Sequence, residues 1–189
     1  MNGVLQKLFV SLVLITLFFS GSSTGFAANE ERIEFPKYKL SFKSPPNIWK
    51  ILKKRSPDQL VVWKYVDYRG NRESAIHIFV GKLEKSESFH DLVEYSAKLT
   101  IDQWKEGFPD ISFEVVEEGV EIINKKQYFR ANTLFKLAPW LYHQDIIYYH
   151  ESEKFYYLFI FFDRYCYKEE HENSDSLSKE MMQSVTFLD

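Results

Sequence analysis

The sequence predicts an α+β fold: a twisted antiparallel sheet of about six to eight strands, with one long and one short helix packed on it. Most of the chain consists of segments with strand character, separated by short polar turns. One stretch in the middle instead repeats its apolar residues every three or four positions, which is typical of a helix. Because the turns are short, consecutive strands are expected to be antiparallel neighbours, with the helices on the sheet.

The N-terminus is predicted to be a secretory signal peptide over residues 1–27, which leaves a single domain over residues 28–189. Lys7 precedes an apolar run from Leu8 to Phe19, and small and polar residues follow it. This order is typical of a cleaved export signal. The run is also shorter than the roughly 20 residues that a membrane-spanning helix needs. We therefore expect an exported protein, periplasmic or extracellular, with no membrane span after cleavage.

Charge and cysteine content exclude several classes of function. The chain has a formal net charge of −3 and a single cysteine, Cys166, so no disulfide can form within it. Mild acidity disfavours sequence-independent binding to nucleic acid, which depends on clustered Lys and Arg at the phosphates. The sequence contains neither of the common glycine-rich phosphate-binding motifs. We expect no nucleic-acid partner and no cofactor.

The first elements are strands joined by tight corners. After a charged lead-in, NEERIEFPK, the segment YKLSFK alternates apolar and polar residues. Pro45 and Pro46 should end this strand, and Trp49 is then expected to pack on the sheet as the chain turns. The segments PDQLVVWKYVD and SAIHIFVGKL flank YRGNR, whose Gly70 and Asn71 suit a tight turn. These two segments are predicted to form a hairpin.

The long helix is predicted from Ser88 to about Trp104. Ser88 with Asp91 three residues later is typical of a helix N-terminus. Gly107 suits a left-handed residue after the helix, and Pro109 prevents its continuation. The apolar positions at helical spacing are Phe89, Leu92, Val93, Ala97, Ile101 and Trp104.

Four further strands are predicted from ISFEVVEEGVEII, QYFRANTLFKL, LYHQDIIYYH and KFYYLFIFF. The run from Phe155 to Phe162 is apolar without alternation, as expected of a central strand covered on both faces. A polar stretch, KEEHENSDS, leads to a short helix with Leu177 and Met181 four residues apart. The chain then closes on SVTFLD, a predicted last strand.

The opening LSFKSPPNIW, over Leu40 to Trp49, and the ending SVTFL, over Ser184 to Leu188, resemble the PsbP-like superfamily and its bacterial exported, DcrB-related branch. In that family a strand, a proline and a tryptophan precede a hairpin, a long helix, further strands, a short helix and a last strand. The resemblance implies this fold. It also implies a non-catalytic binding or assembly role, as in photosystem accessory subunits and a nuclear Ran-binding protein.

The sharpest candidate for a metal or catalytic site is CYKEEHE, with Cys166 and His171. Its spacing is not one of the standard zinc patterns, so the segment is interpreted as a buried cysteine followed by a solvated loop. Cys166 and His150, on neighbouring strands of a predicted hairpin, are a second candidate for a catalytic nucleophile with its general base. Glycoside hydrolases use two carboxylates that face each other across the bound sugar. The neighbouring acids Glu117 and Glu118 lie on opposite faces of a strand, so they cannot form such a pair. No metal site and no catalytic residue are predicted.

The segment APWLYHQD holds the candidate contact residues Trp140, Tyr142 and His143. Amphipathic aromatic side chains where a loop enters a strand are typical of contact surfaces and ligand rims. Ordinary packing at a sheet edge is the alternative interpretation.

Together these patterns predict an exported, non-enzymatic binding or accessory protein that acts through a protein partner in the cell envelope or a small ligand. The alternative is an exported hydrolase or metal-dependent enzyme that uses the His143 region or Cys166 and His171. A third possibility is a related α+β fold that encloses a small apolar ligand. It would require a deep pocket beneath the long helix.

Overall fold

The structure is a computed structural model. It describes residues 32–45, 49–52, 59–66, 72–82, 88–166 and 172–188, so the predicted signal peptide lies outside the described residues. The fold is α+β, as predicted: antiparallel sheets with one long helix and a second, shorter helix.

Seven strands form the main sheet, in the order β3-β4-β5-β9-β8-β7-β6, with every neighbouring pair antiparallel. The predicted hairpin of β4 with β5 is present, and β9 lies at the centre of the sheet, as the unbroken apolar run predicted. The strands are β3 Lys50–Ile51, β4 Gln59–Val66, β5 Arg72–Lys82, β6 Ser112–Ile123, β7 Lys126–Ala138, β8 Leu141–Glu151 and β9 Phe155–Cys166.

A second sheet has three strands in the order β1-β2-β10, with β1 at Arg32–Phe35, β2 at Leu40–Lys43 and β10 at Thr186–Phe187. The charged lead-in was expected to precede the first strand, but its end forms β1. Ile33 lies opposite Phe42 in the register. Two apolar residues alternating with charged ones are enough for a short strand when a partner strand lies beside them.

The helices are α1, Phe89–Trp104, and α2, Glu172–Ser184. The α1 helix begins as predicted, because the backbone N–H of Asp91 donates to Ser88 Oγ at 3.2 Å. Its end differs from the prediction: Gly107 has no left-handed backbone, and its N–H donates to the carbonyl of Trp104 at 3.0 Å. In the described part of the chain neither helix has the length and apolar character needed to cross a membrane.

The main sheet separates two apolar layers. On one face the first layer, including Phe79, Ile147 and Ile160, packs with Leu92 of α1. On the other face the second layer is closed by α2 and the small sheet, and its buried residues are Leu40, Phe42, Trp49, Leu60, Val61, Trp63, Ile76, Ile78, Val80, Ile123, Tyr128, Ile146, Tyr148, Tyr157, Phe159, Phe161, Met181, Met182 and Val185. On the α1 side, Leu92 and Ala97 of the helix are buried against the sheet. A ligand pocket beneath this helix stays a prediction.

Candidate functional site

The predicted contact residues Trp140, Tyr142 and His143 do not share one surface. Trp140 lies in the turn between β7 and β8 and is 55% exposed. Tyr142 is half-buried and stacks on Tyr165 at 6.0 Å between ring centres. His143 is buried on the opposite face of β8, since neighbouring residues of a strand point to opposite sides. Contact of these residues with a ligand or partner stays a prediction.

His143 lies beneath α1 in an aromatic setting. Its ring centre is 5.6 Å from that of Phe135 and 5.8 Å from that of Phe162. Its Nε2 is 2.6 Å from Asp145 Oδ1, although the two atoms do not have hydrogen-bond geometry. Both side chains are buried, so this pair faces the interior.

The second predicted region, Cys166 with His171, is only partly described. The backbone of Cys166 ends β9 and pairs with Leu141, whereas His171 and the side chain of Cys166 lie outside the described residues. The enzyme alternative at this place therefore stays a prediction.

The strand β6 presents an apolar stripe that extends beyond the cover of α1. Its residues Phe113, Val115, Val120 and Ile122, named here the edge stripe, are all exposed, Ile122 at 74% and Val120 at 56%. Val120 lies opposite Phe129, which stacks on Phe89 of α1 at 5.6 Å between ring centres. The stripe therefore lies on the α1 side of the sheet, on the same face as Glu118, whose Oε2 is 3.0 Å from His90 Nδ1 on α1.

The other face of β6 is acidic. Glu114, Glu117 and Glu121 lie there, and the last two contact the buried guanidinium of Arg130 on β7. The side chain of Glu117 is still 65% exposed. Because one arginine serves several carboxylates, this face keeps negative charge at its surface.

Within the described part of the chain, the backbone of β6 pairs with another strand on one side only. It is the last strand in the order of the main sheet, so along its outer edge the described residues place no neighbouring strand. A bulge between Val115 and Glu117 interrupts the ladder near its start. From Glu117 to Ile123 the ladder with β7 is regular. Free backbone N–H and C=O groups on such an edge can pair with another extended chain.

Sequence reasoning predicted β6 as a strand and placed Glu117 and Glu118 on its opposite faces, but it did not identify this strand as a sheet edge. The signal that could have identified the edge is composition. Four glutamates fall within twelve residues of β6, while β9 over the same length has one acid, Asp163. A central strand cannot carry that much charge, so such a strand belongs at an edge.

Comparisons with known proteins support the fold. No family model matches the chain, and no curated protein matches it in sequence. Among solved structures, the solution structure of cyanobacterial PsbP (CyanoP) from Synechocystis sp. PCC 6803 is similar, with 14% identity, a TM-score of 0.57, and coverage of 89% of this chain and 98% of that one.

Two other solved structures are similar at lower scores. The Saccharomyces cerevisiae Ran-binding protein Mog1p has 11% identity and a TM-score of 0.51, covering 86% of this chain and 97% of that one. LpqN, involved in cell envelope biogenesis of Mycobacterium tuberculosis, has 8% identity and a TM-score of 0.50, covering 79% and 83%. The fold is therefore PsbP-like.

Proposed function

We propose that this chain is an exported, non-enzymatic accessory protein of the DcrB-related kind, which binds an extended segment of a protein partner as an added strand on β6. The observation that carries the proposal is the edge stripe on an open strand edge. Added strands obtain affinity from backbone hydrogen bonds and specificity from alternate side chains.

The two faces of β6 specify the chemistry of the partner segment. Apolar side chains on the α1 side of an added strand would pack beside Val120 and Ile122. Side chains on the other side would meet Glu117 and Glu121, which favours Lys or Arg. The partner segment is therefore one in which apolar and basic residues alternate.

A second copy of this chain is a poorer occupant of the same edge. Two β6 strands would bring four glutamates each to one interface, with no lysine or arginine between them. Like charges on neighbouring strands are destabilising. The acidic face thus favours a different, basic partner over self-association.

The setting of the proposal comes from three sources. The sequence carries an export-signal pattern over residues 1–27. LpqN, a protein of similar fold, is involved in cell envelope biogenesis, and Mog1p, another, is a Ran-binding protein. These comparisons favour a binding role in the cell envelope for this chain.

The test uses synthetic ten-residue peptides in which valine and lysine alternate, with valine and glutamate alternating in a matched set. Isothermal titration calorimetry should detect binding of the lysine peptides only. Binding should protect β6 amides from hydrogen exchange, because those groups enter new hydrogen bonds. The substitution Val120→Lys should weaken binding about tenfold or more, since a charged side chain replaces the apolar surface on which the peptide's valines would pack.

The matched control is Val66→Lys, because Val66 is 48% exposed and lies on β4, near the opposite edge of the main sheet. This variant should bind like the unchanged protein. Equal affinity for lysine and glutamate peptides, or unchanged affinity in Val120→Lys, would contradict strand addition at β6.

The enzyme alternative has its own test. A broad panel of ester, amide, phosphate and glycoside substrates, with zinc, manganese or calcium added, should show no turnover. Activity that disappears in His143→Ala or Cys166→Ala, while the folded state persists by circular dichroism, would replace the accessory proposal with the enzyme one.

A further inference from the structure

A groove lies at the end of the main sheet opposite Trp140. It has a volume of about 520 Å³ and is lined by the loop between β8 and β9, the start of β7, the residues before β2, and the C-terminal strand. Four of its lining residues are lysines: Lys37, Lys39, Lys126 and Lys154. We name it the lysine groove.

The charge of the lysine groove is not balanced by its own residues. Glu153 is the single acidic residue among those that line it, against four lysines. Among the residues that the structure describes, none of the four ammonium groups has a carboxylate partner within 4 Å. Because the chain as a whole has a net charge of −3, this local excess runs against the overall charge. A concave site lined by one sign of charge attracts ligands of the other sign.

Aromatic rings form the floor between these lysines. Phe187 packs edge-on against Tyr157 at 4.8 Å between ring centres, and its ring centre lies 4.9 Å from that of His150. The ammonium group of Lys126 is 5.7 Å from the centre of the Phe187 ring. A ligand in the groove would therefore meet an apolar surface below and positive charge around it.

The floor is held in place by hydrogen bonds. The hydroxyl of Tyr157 donates to the carbonyl of Tyr38 at 3.0 Å, and His150 Nδ1 lies 2.7 Å from the carbonyl of Gln127. Burial lowers the pKa of His150, so its ring favours the neutral form. The positive charge of the groove thus comes from its lysines.

Lys39 ends the short 3₁₀ turn Pro36–Tyr38 at the side of the groove. Lys39 has φ 53° and ψ 39°, a left-handed conformation that glycine adopts most easily. Its carbonyl accepts a hydrogen bond from the N–H of Leu188 at 2.8 Å, which fixes this corner to the C-terminal strand. This conformation closes the turn, since the N–H of Lys39 donates to the carbonyl of Pro36 at 3.1 Å, and glycine would be less strained here than lysine.

We infer that the lysine groove binds a small organic anion, a phosphate or carboxylate attached to an aromatic or aliphatic body. The anionic group would lie among the ammonium groups, and the body would lie on Tyr157 and Phe187. The volume is within the range of sites for small molecules, roughly 300 to 1,000 Å³. This site is at the other end of the sheet from Trp140 and does not depend on strand addition at β6.

The experiment titrates the protein with naphthyl phosphate, naphthol and inorganic phosphate by calorimetry. Naphthyl phosphate should bind about tenfold or more tightly than either of the others, because only it can contact both the aromatic floor and the lysine ammonium groups. Its affinity should fall as salt is raised, since salt screens the lysine charges. Binding by inorganic phosphate alone at equal affinity would overturn the role of the floor.

Lys39→Gly separates binding from folding. Glycine relieves the left-handed backbone, so the midpoint of thermal unfolding should stay the same or rise. The affinity for naphthyl phosphate should nevertheless fall roughly fivefold or more, as expected for the loss of one charged contact. Lys136→Gln, which removes an exposed lysine at the other end of β7, is the control and should bind unchanged. Unchanged affinity in Lys39→Gly, or an equal loss in Lys136→Gln, would overturn the assignment.

Discussion

Arg130 carries a positive charge into the interior of the protein, where it is 4% exposed. Its guanidinium contacts Glu117 and Glu121 on β6 and lies 2.6 Å from Asp175 on α2. Its Nε also donates to the hydroxyl of Tyr148 at 3.2 Å. Because three carboxylates contact this guanidinium, the loss of any one of them leaves the buried charge paired with the others. This single residue therefore ties the edge strand to the last helix.

The pKa of Asp175 predicts how the stabilisation by the ion pair of Arg130 and Asp175 depends on pH. Burial by itself would raise the pKa of Asp175, but the hydrogen bond from Lys179 and the charge of Arg130 hold it below the ordinary value. A pKa lower in the folded than in the unfolded state stabilises the fold above the unfolded pKa of about 3.9. The stabilisation is lost as pH falls through the folded pKa.

We therefore expect Asp175→Asn to lower the free energy of unfolding at pH 7 by about 1 kcal/mol, as for a partly exposed pair. Urea unfolding should show this difference shrinking below about pH 4. Glu180→Gln, on the exposed side of the same helix, is the control and should have no effect. A difference that stays constant down to pH 2 would contradict the assignment to this carboxylate.

Among the elements, α1 shows how a local pattern determines a structure. Ser88 begins the helix because its Oγ accepts the N–H of Asp91, one of the donors that lack a partner within the helix. The end was predicted less well. Trp104 ends α1 without a left-handed Gly107: the N–H groups of Gly107 and Phe108 both donate to the Trp104 carbonyl, and the ring centres of Trp104 and Phe108 lie 5.8 Å apart.

Ser88→Ala should lower the free energy of unfolding by about 1 kcal/mol, through loss of this cap. Ser88→Asp keeps an acceptor and adds a negative charge at the positive end of the helix, so its stability should equal or exceed that of the unchanged protein. Chemical denaturation of the three proteins decides the matter. An equal loss in both variants would show that the hydroxyl acts through some other contact.

On the scale of the whole molecule, Trp49 joins the corner after β2 to the main core. It is 5% exposed, and its ring centre is 5.7 Å from that of Tyr65. Trp49→Ala should cost about 3 to 5 kcal/mol, because a large buried side chain leaves a cavity. Trp140→Ala should change the thermal midpoint little, since that side chain is 55% exposed. A similar loss of stability in both variants would contradict the conclusion that Trp49 is buried in the core and Trp140 is not.

The sequence by itself determined the α+β class, the hairpin of β4 with β5, the start of α1 and the central position of β9. Each of these follows from local chemistry: alternation, capping or an apolar run. It did not place β1, whose two apolar residues need β2 beside them, nor the pairing of β10 with β2 across most of the chain. Tertiary structure alone decided which neighbouring residues share a surface. Among the described residues it left the edge stripe exposed, and it brought Lys37 and Lys39 together with the distant Lys126 and Lys154 around one aromatic floor. The physical reason is that the exposure of a residue depends on which helices and strands pack against it in the folded chain. A sequence pattern shows only which residues prefer to be buried.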